Sequence, residues 1–457
     1  MNIAVIGAGI AGLACAWRLS SQHRVTLFEA NDYLGGHTNT VEADVDGVRY
    51  PVDTGFLVFN DRTYPGLTGL FAELGVATAP SDMSFSARVA LPGGSELEWA
   101  GSDLASVFAQ PRNLARPAFL RMLADIVRFN RLATETAAAA QGSGQADDPA
   151  LISLGDFLEK HRFSAALRDW YLLPMAAAIW SCPTQQMLAF PLATFVRFCA
   201  NHGLLQISDR PQWRTVVRGG QQYVKKLVAA ITANGGSIRR ADPVRQIRRE
   251  GNGGLVAVHA EHGTALFDHV VLACHSDQAA AMLTDASPEE AALLGAVRYQ
   301  RNRAVLHTDA SVLPRARRAW AAWNYQSVPL RGGAGGGADG AGPDNAGAAV
   351  APLLRSVCVH YLLNRLQPVP FERPVLVSLN PVDAIAAEQT LAEFDYAHPV
   401  FDRAAIAAQE RLPRIQGVRN TWYCGAWTGY GFHEDGLQSG LAVARQLADR
   451  PASSLAA

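Results

Sequence analysis

The chain has 457 residues, 49% of them hydrophobic and 18% charged, with a formal net charge of −1. That length exceeds one ordinary core and predicts two domains, and the balanced charge excludes a partner such as nucleic acid that is recognised by a basic surface. Of its 40 Lys and Arg residues only three, Lys160, Lys225 and Lys226, are lysine.

The first element is a short apolar strand, Ile3-Ala4-Val5-Ile6, followed at once by Gly7-Ala8-Gly9-Ile10-Ala11-Gly12. A helical stretch runs through Ala16 to Leu19. A second apolar strand, Val25-Thr26-Leu27-Phe28, ends at Glu29. Strand, glycine turn, helix and terminal acid together form a dinucleotide-binding fingerprint. Gly7 allows the tight turn, Gly9 admits a pyrophosphate, and Gly12 lets helix and sheet pack closely. Unpaired N–H groups at the helix start, from Ile10 and Ala11, face the phosphates, and Glu29, with Ala30 after it, lies where a ribose diol binds.

Further on come Gly35-Gly36-His37-Thr38 and Asp53-Thr54-Gly55-Phe56. Residues 61–210 are expected to be mostly helical, with apolar periodicity over Leu114–Leu132 and Ser164–Ile179. Arg112, Arg116, Arg121 and Arg128 make the first stretch a basic amphipathic helix, either packed on its own domain or laid on an anionic membrane. Residues 137–149 are expected to form a flexible loop. Arg218-Gly219-Gly220 opens a helix carrying Tyr223 and Leu227. Strands at Val244–Arg248, Leu255–His259 and Val270–Ala273, with a turn at 251–254, are expected to form a small meander. Arg301–Thr308, Ser356–Leu362 and Val375–Leu379 are expected strands of a second sheet, and the Gly/Ala-rich 331–350 a flexible loop.

The chain ends in a second glycine-rich unit. It runs from Cys424-Gly425-Ala426-Trp427 through Gly431-Phe432-His433-Glu434-Asp435-Gly436-Leu437 to Gly440. A strand, a turn and a helix starting near Gly436 are expected, which supplies a second positive helix end suited to the pyrimidine side of a reduced flavin. Such a second site has no use for NAD alone and favours FAD. The expected fold is therefore α/β. A discontinuous Rossmann-like FAD-binding domain (1–60, 211–297 and 415–457) is interleaved with an α+β substrate domain (61–210 and 298–414).

These motifs resemble the FAD-dependent amine oxidase, protoporphyrinogen oxidase and phytoene desaturase superfamily. The Gly-Phe-His-Glu-Asp-Gly stretch at 431–436 is similar to a narrower group of lipid-associated flavoproteins, related to the flavoprotein domain of plant cyclopropane fatty acid synthases. The resemblance implies noncovalent FAD, carbon–hydrogen or carbon–nitrogen oxidation, and a backbone contact from Val244 to the adenine. Two departures stand out. Many relatives carry Arg where this chain has His37, and the strand expected to hold an amine oxidase lysine, Arg301–Leu306, has none.

His433 and Glu434 are the candidates for proton handling, and Asp435 for a helix cap near the cofactor. Trp427, Tyr430 and Phe432 are candidates for the flavin wall. Trp180, Tyr325 and Tyr361, with Arg303 and His360, are candidates for the substrate cavity. The cysteines Cys15, Cys182, Cys199, Cys274, Cys358 and Cys424 form no CxxC pair, so reduced thiols and no metal site are expected. No secretory leader and no membrane span are expected, which points to a cytoplasmic protein, with peripheral contact at the inner membrane face as an option. The expected activity is dehydrogenation or isomerisation of a hydrophobic substrate, a lipid acyl chain. A partner lipid-modifying enzyme follows by analogy. Alternatives are an amine oxidase releasing hydrogen peroxide and a flavoprotein electron carrier.

Overall fold

The computed structural model describes residues 1–140, 152–180, 187–201, 204, 211–249, 254–327 and 358–450. Ile3, Ala4 and Val5 are fully buried, as befits a parallel strand covered on both faces. Their strand, Asn2–Ile6, lies between Arg24–Phe28 and His269–Leu272. Ser237–Arg239 and Thr421–Tyr423 take the two edges, completing a five-stranded, all-parallel sheet. Helix Ile10–Ser20 covers one face and packs against the C-terminal helix His433–Ala448. A Cβ on Gly440 would lie 2.2 Å from the carbonyl oxygen of Ala11, so glycine alone permits that approach.

The meander exists, but its third strand differs from expectation. It is built from Val244–Arg249, Val256–Ala260 and Gly263–Phe267. The Val270 run instead joins the parallel sheet beside the first strand. Its four residues His269–Leu272 are all buried, a pattern that suits a central parallel strand and not a half-exposed hairpin. The expected turn at 251–254 lies outside the described residues except for Gly254.

A seven-stranded sheet forms the second layer. Its order is Thr390–Val400, Arg298–His307, Leu376–Leu379, Cys358–Leu362, Trp323–Gln326, Phe85–Ala90 and Glu96–Ala100. The three strands expected here are present within a few residues. The last two correct the reading of 61–210 as mostly helical. Gly93 and Gly94, both at positive φ, turn this hairpin. Its pattern is disguised because Glu98 is buried, accepting hydrogen bonds from the backbone N–H groups of Arg315 and Ala316. A hairpin of Thr40–Val45 and Val48–Asp53 and a small sheet of Phe59–Asn60, Trp213–Val216 and Thr78–Ser81 complete the β structure among the described residues.

The helical expectations hold in outline. Helix Pro117–Ala140 buries Phe119, Met122, Phe129 and Ala133 against Leu192–Asn201 and its neighbours. It therefore extends over 137–140, where a loop was expected; 141–149 lie outside the described residues, as do 331–350 and Cys182. The Ser164–Ile179 helix is interrupted by a π turn at Arg168–Leu172. Cys15, Cys199, Cys274, Cys358 and Cys424 are free thiols. Among the described residues no helix is long and apolar enough to cross a membrane.

One strip of the seven-stranded sheet is polar and buried. His307 Nδ1 accepts the backbone N–H of Asp309 (3.0 Å), which places its proton on Nε2, 2.6 Å from Ser378 Oγ. Ser378 then donates to His360 Nδ1 (2.6 Å), and His360 Nε2 donates to Gln326 (2.9 Å). Gln326 donates to Asp383 (3.0 Å). Every link runs in one direction, so both imidazoles are neutral with fixed tautomers.

Candidate cofactor and active site

The glycine turn sits at the carboxyl end of the first strand. Gly7 has φ 104°, and a Cβ there would meet the carbonyl oxygen of Ala273 at 2.7 Å. Gly12 is closed in further, with its Cβ position 1.9 Å from the Gly7 carbonyl oxygen. Gly9 is the exception: nothing lies within 4 Å of its Cβ position. The turn is thus tight behind and open in front. Glu29 is pinned at the end of the second strand, where it accepts from the N–H of Ala8 (2.8 Å), the N–H of Asn31 (2.9 Å) and the Asn31 side chain (3.1 Å).

The paired glycines lie directly against this turn. The N–H of Gly35 donates to the carbonyl of Ala8 (2.9 Å), and a Cβ on Gly36 would be 3.2 Å from Gly9 Cα. His37 follows. Its Nε2 is buried with no hydrogen-bond partner among the described residues. Gly55 allows the backbone of His37 to cross at 2.2 Å from its Cβ position. Nearby, the buried Asp53 accepts from Thr40 (2.5 Å), the N–H of Gly220 (2.9 Å) and Gln367 (2.7 Å), and burial raises its carboxyl pKa to about 6.

The C-terminal unit departs from expectation at its helix, which starts at His433 and not near Gly436. His433 stacks on Phe56 with ring centroids 3.8 Å apart. Its Nε2 lies 2.7 Å from the Tyr223 hydroxyl and 3.0 Å from Thr38 Oγ1. Burial lowers its pKa to about 3, so the ring is neutral. Glu434, the other candidate for proton handling, is turned away from the cavity lining. Its two oxygens accept from the N–H groups of Gly66 (2.8 Å) and Leu67 (2.9 Å), in the first turn of helix Pro65–Leu74. Asp435 accepts from the N–H of Phe432 (2.9 Å) and so closes its own helix.

These segments enclose a cavity of about 900 Å³ between the two sheets. Gly7, Gly9, Ile10, Ala11, Glu29, Ala30, Gly35, Gly36, His37, Gly55, Phe56, Val244, Gly425, Ala426 and His433 all line it, as do Trp427, Tyr430, Phe432 and Tyr361. Gly12, Thr38, Glu434, Asp435, Gly436, Leu437 and Gly440 stand behind the wall and hold it in place. Tyr325 is buried outside the lining, Arg303 is exposed and paired with Glu393, and His360 belongs to the polar strip. The side chain of Trp180 lies outside the described residues.

Residue patterns alone missed two lining histidines. His275 stacks on Tyr299 (4.3 Å), and His398 accepts from Asn302 (3.0 Å) through Nδ1. His275 follows the Val270 strand directly, which was a usable signal. His398 sits on an unexpected strand, Thr390–Val400, and had none. Away from the glycine turn, the lining is apolar and aromatic: Ile179 from a helix, Trp323, Tyr361, Val377 and Leu379 from the seven-stranded sheet, Trp213 from the small sheet, and Met83, Leu204 and Phe401 from the connections. Asp395, exposed to solvent, is the only carboxylate the seven-stranded sheet adds to the described lining. All three lysines are exposed and none lines the cavity.

A parallel sheet with an open glycine turn, an acid held at the second strand and a second glycine-rich helix start define a flavin-binding Rossmann-type protein. The sequence profile of the flavin containing amine oxidoreductases matches residues 10–306, well over half of the chain, and the protein belongs to that family. Its cofactor is accordingly FAD, and the site fits it: the front of Gly9 is clear, Glu29 is held at the turn, and the buried Nε2 of His37 awaits a partner. The chain is 29% identical over 283 residues to the Mycobacterium tuberculosis protein named "Putative flavin-containing monoamine oxidase AofH", covering 60% of this chain and 56% of that protein. It thus spans little more than half the length of the curated relatives it matches. A 45-residue stretch, 10% of this chain and 9% of the other, is 56% identical to Staphylococcus aureus 4,4'-diapophytoene desaturase. In fold it resembles putrescine oxidase bound to putrescine (TM-score 0.65, 14% identity, 98% and 100% coverage) and a fatty acid isomerase from P. acnes (TM-score 0.62, 17% identity, 98% and 97% coverage).

Proposed function

We propose that this protein oxidises carbon–hydrogen bonds of a hydrophobic substrate, desaturating or isomerising a lipid acyl chain. The observation that carries this reading is the apolar and aromatic lining away from the glycine turn, together with the position of every lysine outside the cavity. An alkyl chain gains by burial there at roughly 0.8 kcal/mol per CH₂, whereas an ammonium would leave water without a buried carboxylate to meet it. Bound noncovalently, FAD supplies the two-electron acceptor. The chain supplies the rest. The glycine turn, Glu29 and the Gly425–Ala426 turn would hold the cofactor. Phe56 and the neutral His433, stacked on each other in the lining, would form a rigid wall of its site, and the aromatic residues would exclude water and orient the chain. A peripheral contact with an anionic membrane and a partner lipid-modifying enzyme suit the same reading.

The second reading, an amine oxidase releasing hydrogen peroxide, draws on the 283-residue match to the mycobacterial protein. Anaerobic mixing of the yellow holoenzyme with fatty acids and lipid extracts, and separately with primary amines, separates the two. Bleaching of the flavin by lipids is expected. Bleaching by amines alone would sink the acyl reading, and bleaching by neither would favour an electron carrier. Release of the flavin by acid checks that it is noncovalently held.

A further inference from the structure

The cavity wall holds very little permanent charge. Among its described residues only Glu29, Arg245 and Asp395 carry formal charge, and Arg245 is exposed at the meander. A diphosphate brings two negative charges, and a helix start returns only about half a charge. Three imidazoles surround the region where the balance is lacking. His37 has ring centroids 6.2 Å from His275 and 5.2 Å from His398. His37 lies two residues from Gly35, which donates to the glycine turn, and His275 lies two residues from Ala273, whose carbonyl abuts Gly7. His398 reaches in from the opposite sheet. Since its Nδ1 accepts from Asn302, its Nε2 carries a proton to donate.

We propose that His37, His275 and His398 form a protonatable anion site for the diphosphate of FAD, so that the protein takes up a proton as it binds its cofactor. The buried, unpartnered Nε2 of His37 is the atom that such an anion would satisfy. Without an anion the cluster stays neutral, because burial holds all three imidazoles below their ordinary range, helped at His37 and His398 by the neighbouring rings and opposed at His275 by Asp277. The other groups around them are His433 with Tyr223 and Thr38 on the C-terminal side, Tyr396 at 5.1 Å from His37, Tyr299 and Asp277 beside His275, and Glu29 across the turn. None of these supplies a fixed positive charge. A nearby dianion favours the imidazolium form, and proton uptake by one group makes binding weaken about tenfold per pH unit between its low pKa in the free protein and its higher pKa in the complex, and level off above the latter.

Calorimetric titration of the full-length apoprotein, in buffers of different ionisation heat at pH 6.5 to 8.5, tests this directly. Uptake approaching one proton per FAD is expected. ADP-ribose, which keeps the diphosphate but has no flavin, should show the same uptake, and riboflavin none. The His37→Gln and His398→Gln variants should each lower the uptake and flatten the pH dependence of FAD affinity. Absence of uptake with FAD, or uptake with riboflavin but not with ADP-ribose, would overturn the proposal. The comparison of the three ligands on the unaltered protein decides the matter even if a variant fails to fold.

Discussion

Both oxygens of Glu434 are committed to the first turn of Pro65–Leu74, where carboxylate and helix dipole attract each other. Glu434→Gln should therefore cost about 1–2 kcal/mol in a urea titration while leaving flavin reduction unchanged; loss of reduction with normal stability would return Glu434 to the chemistry. Histidines set the response to acid. His360 and His433 are lowered to about 3 and His307 and His398 to about 4 by burial, against 6.5 for a free imidazole. Between those values the unfolded chain binds more protons than the folded one, so stability rises with pH and is lost on acidification, by roughly 1.4 kcal/mol per pH unit for each group. Asp53 and Asp435, raised to about 6, act in the opposite sense over part of this window, against the more numerous lowered histidines. The urea midpoint is expected to fall steeply from pH 6.5 to 4.5, and a flat profile would contradict the burial of neutral imidazoles. None of this was legible in the sequence, because a buried histidine and an exposed one are spelled alike. Gly7 and Gly12 of the cofactor turn were legible, since neighbouring backbone leaves no room there for a side chain.

At the scale of elements, strong local grammar was readable and disguised patterns were not. The first strand, turn and helix announce themselves within a few residues. The Phe85–Ala90 and Glu96–Ala100 hairpin hides because a carboxylate occupies a core position. The contact between Ile10–Ser20 and His433–Ala448 rests on one missing side chain, and Gly440→Val is expected to abolish FAD retention and cost at least about 2 kcal/mol, measured by flavin content and thermal unfolding. Helix Pro117–Ala140 packs one face and leaves another exposed. Leu120 and Val127, seven residues apart, are 44% and 56% exposed beside the exposed Arg121 and Arg131. Seven residues make two turns, so the two apolar side chains share a face. Sedimentation with vesicles containing phosphatidylglycerol should carry the protein down, and Leu120→Glu with Val127→Glu should leave it in solution; equal sedimentation of both would remove this helix from any membrane contact.

For the whole molecule, the division of labour between two sheets was foreseeable from the return of glycine-rich motifs at both ends of the chain. The exact membership of each sheet was not, because strands pair across hundreds of residues and pairing partners leave no local trace. Long-range pairing of this kind is slow to form, since the loop must close before any contact rewards it. The parallel sheet makes the point in its edge strand. Thr421–Tyr423 pairs with His269–Leu272, and the helix after it closes over the first helix. The glycine turn and the wall that completes its pocket thus lie far apart in the chain and meet only in the folded protein. Retention of FAD therefore reports the closure of the C-terminal helix over the first helix, and not the folding of the opening strand, turn and helix alone.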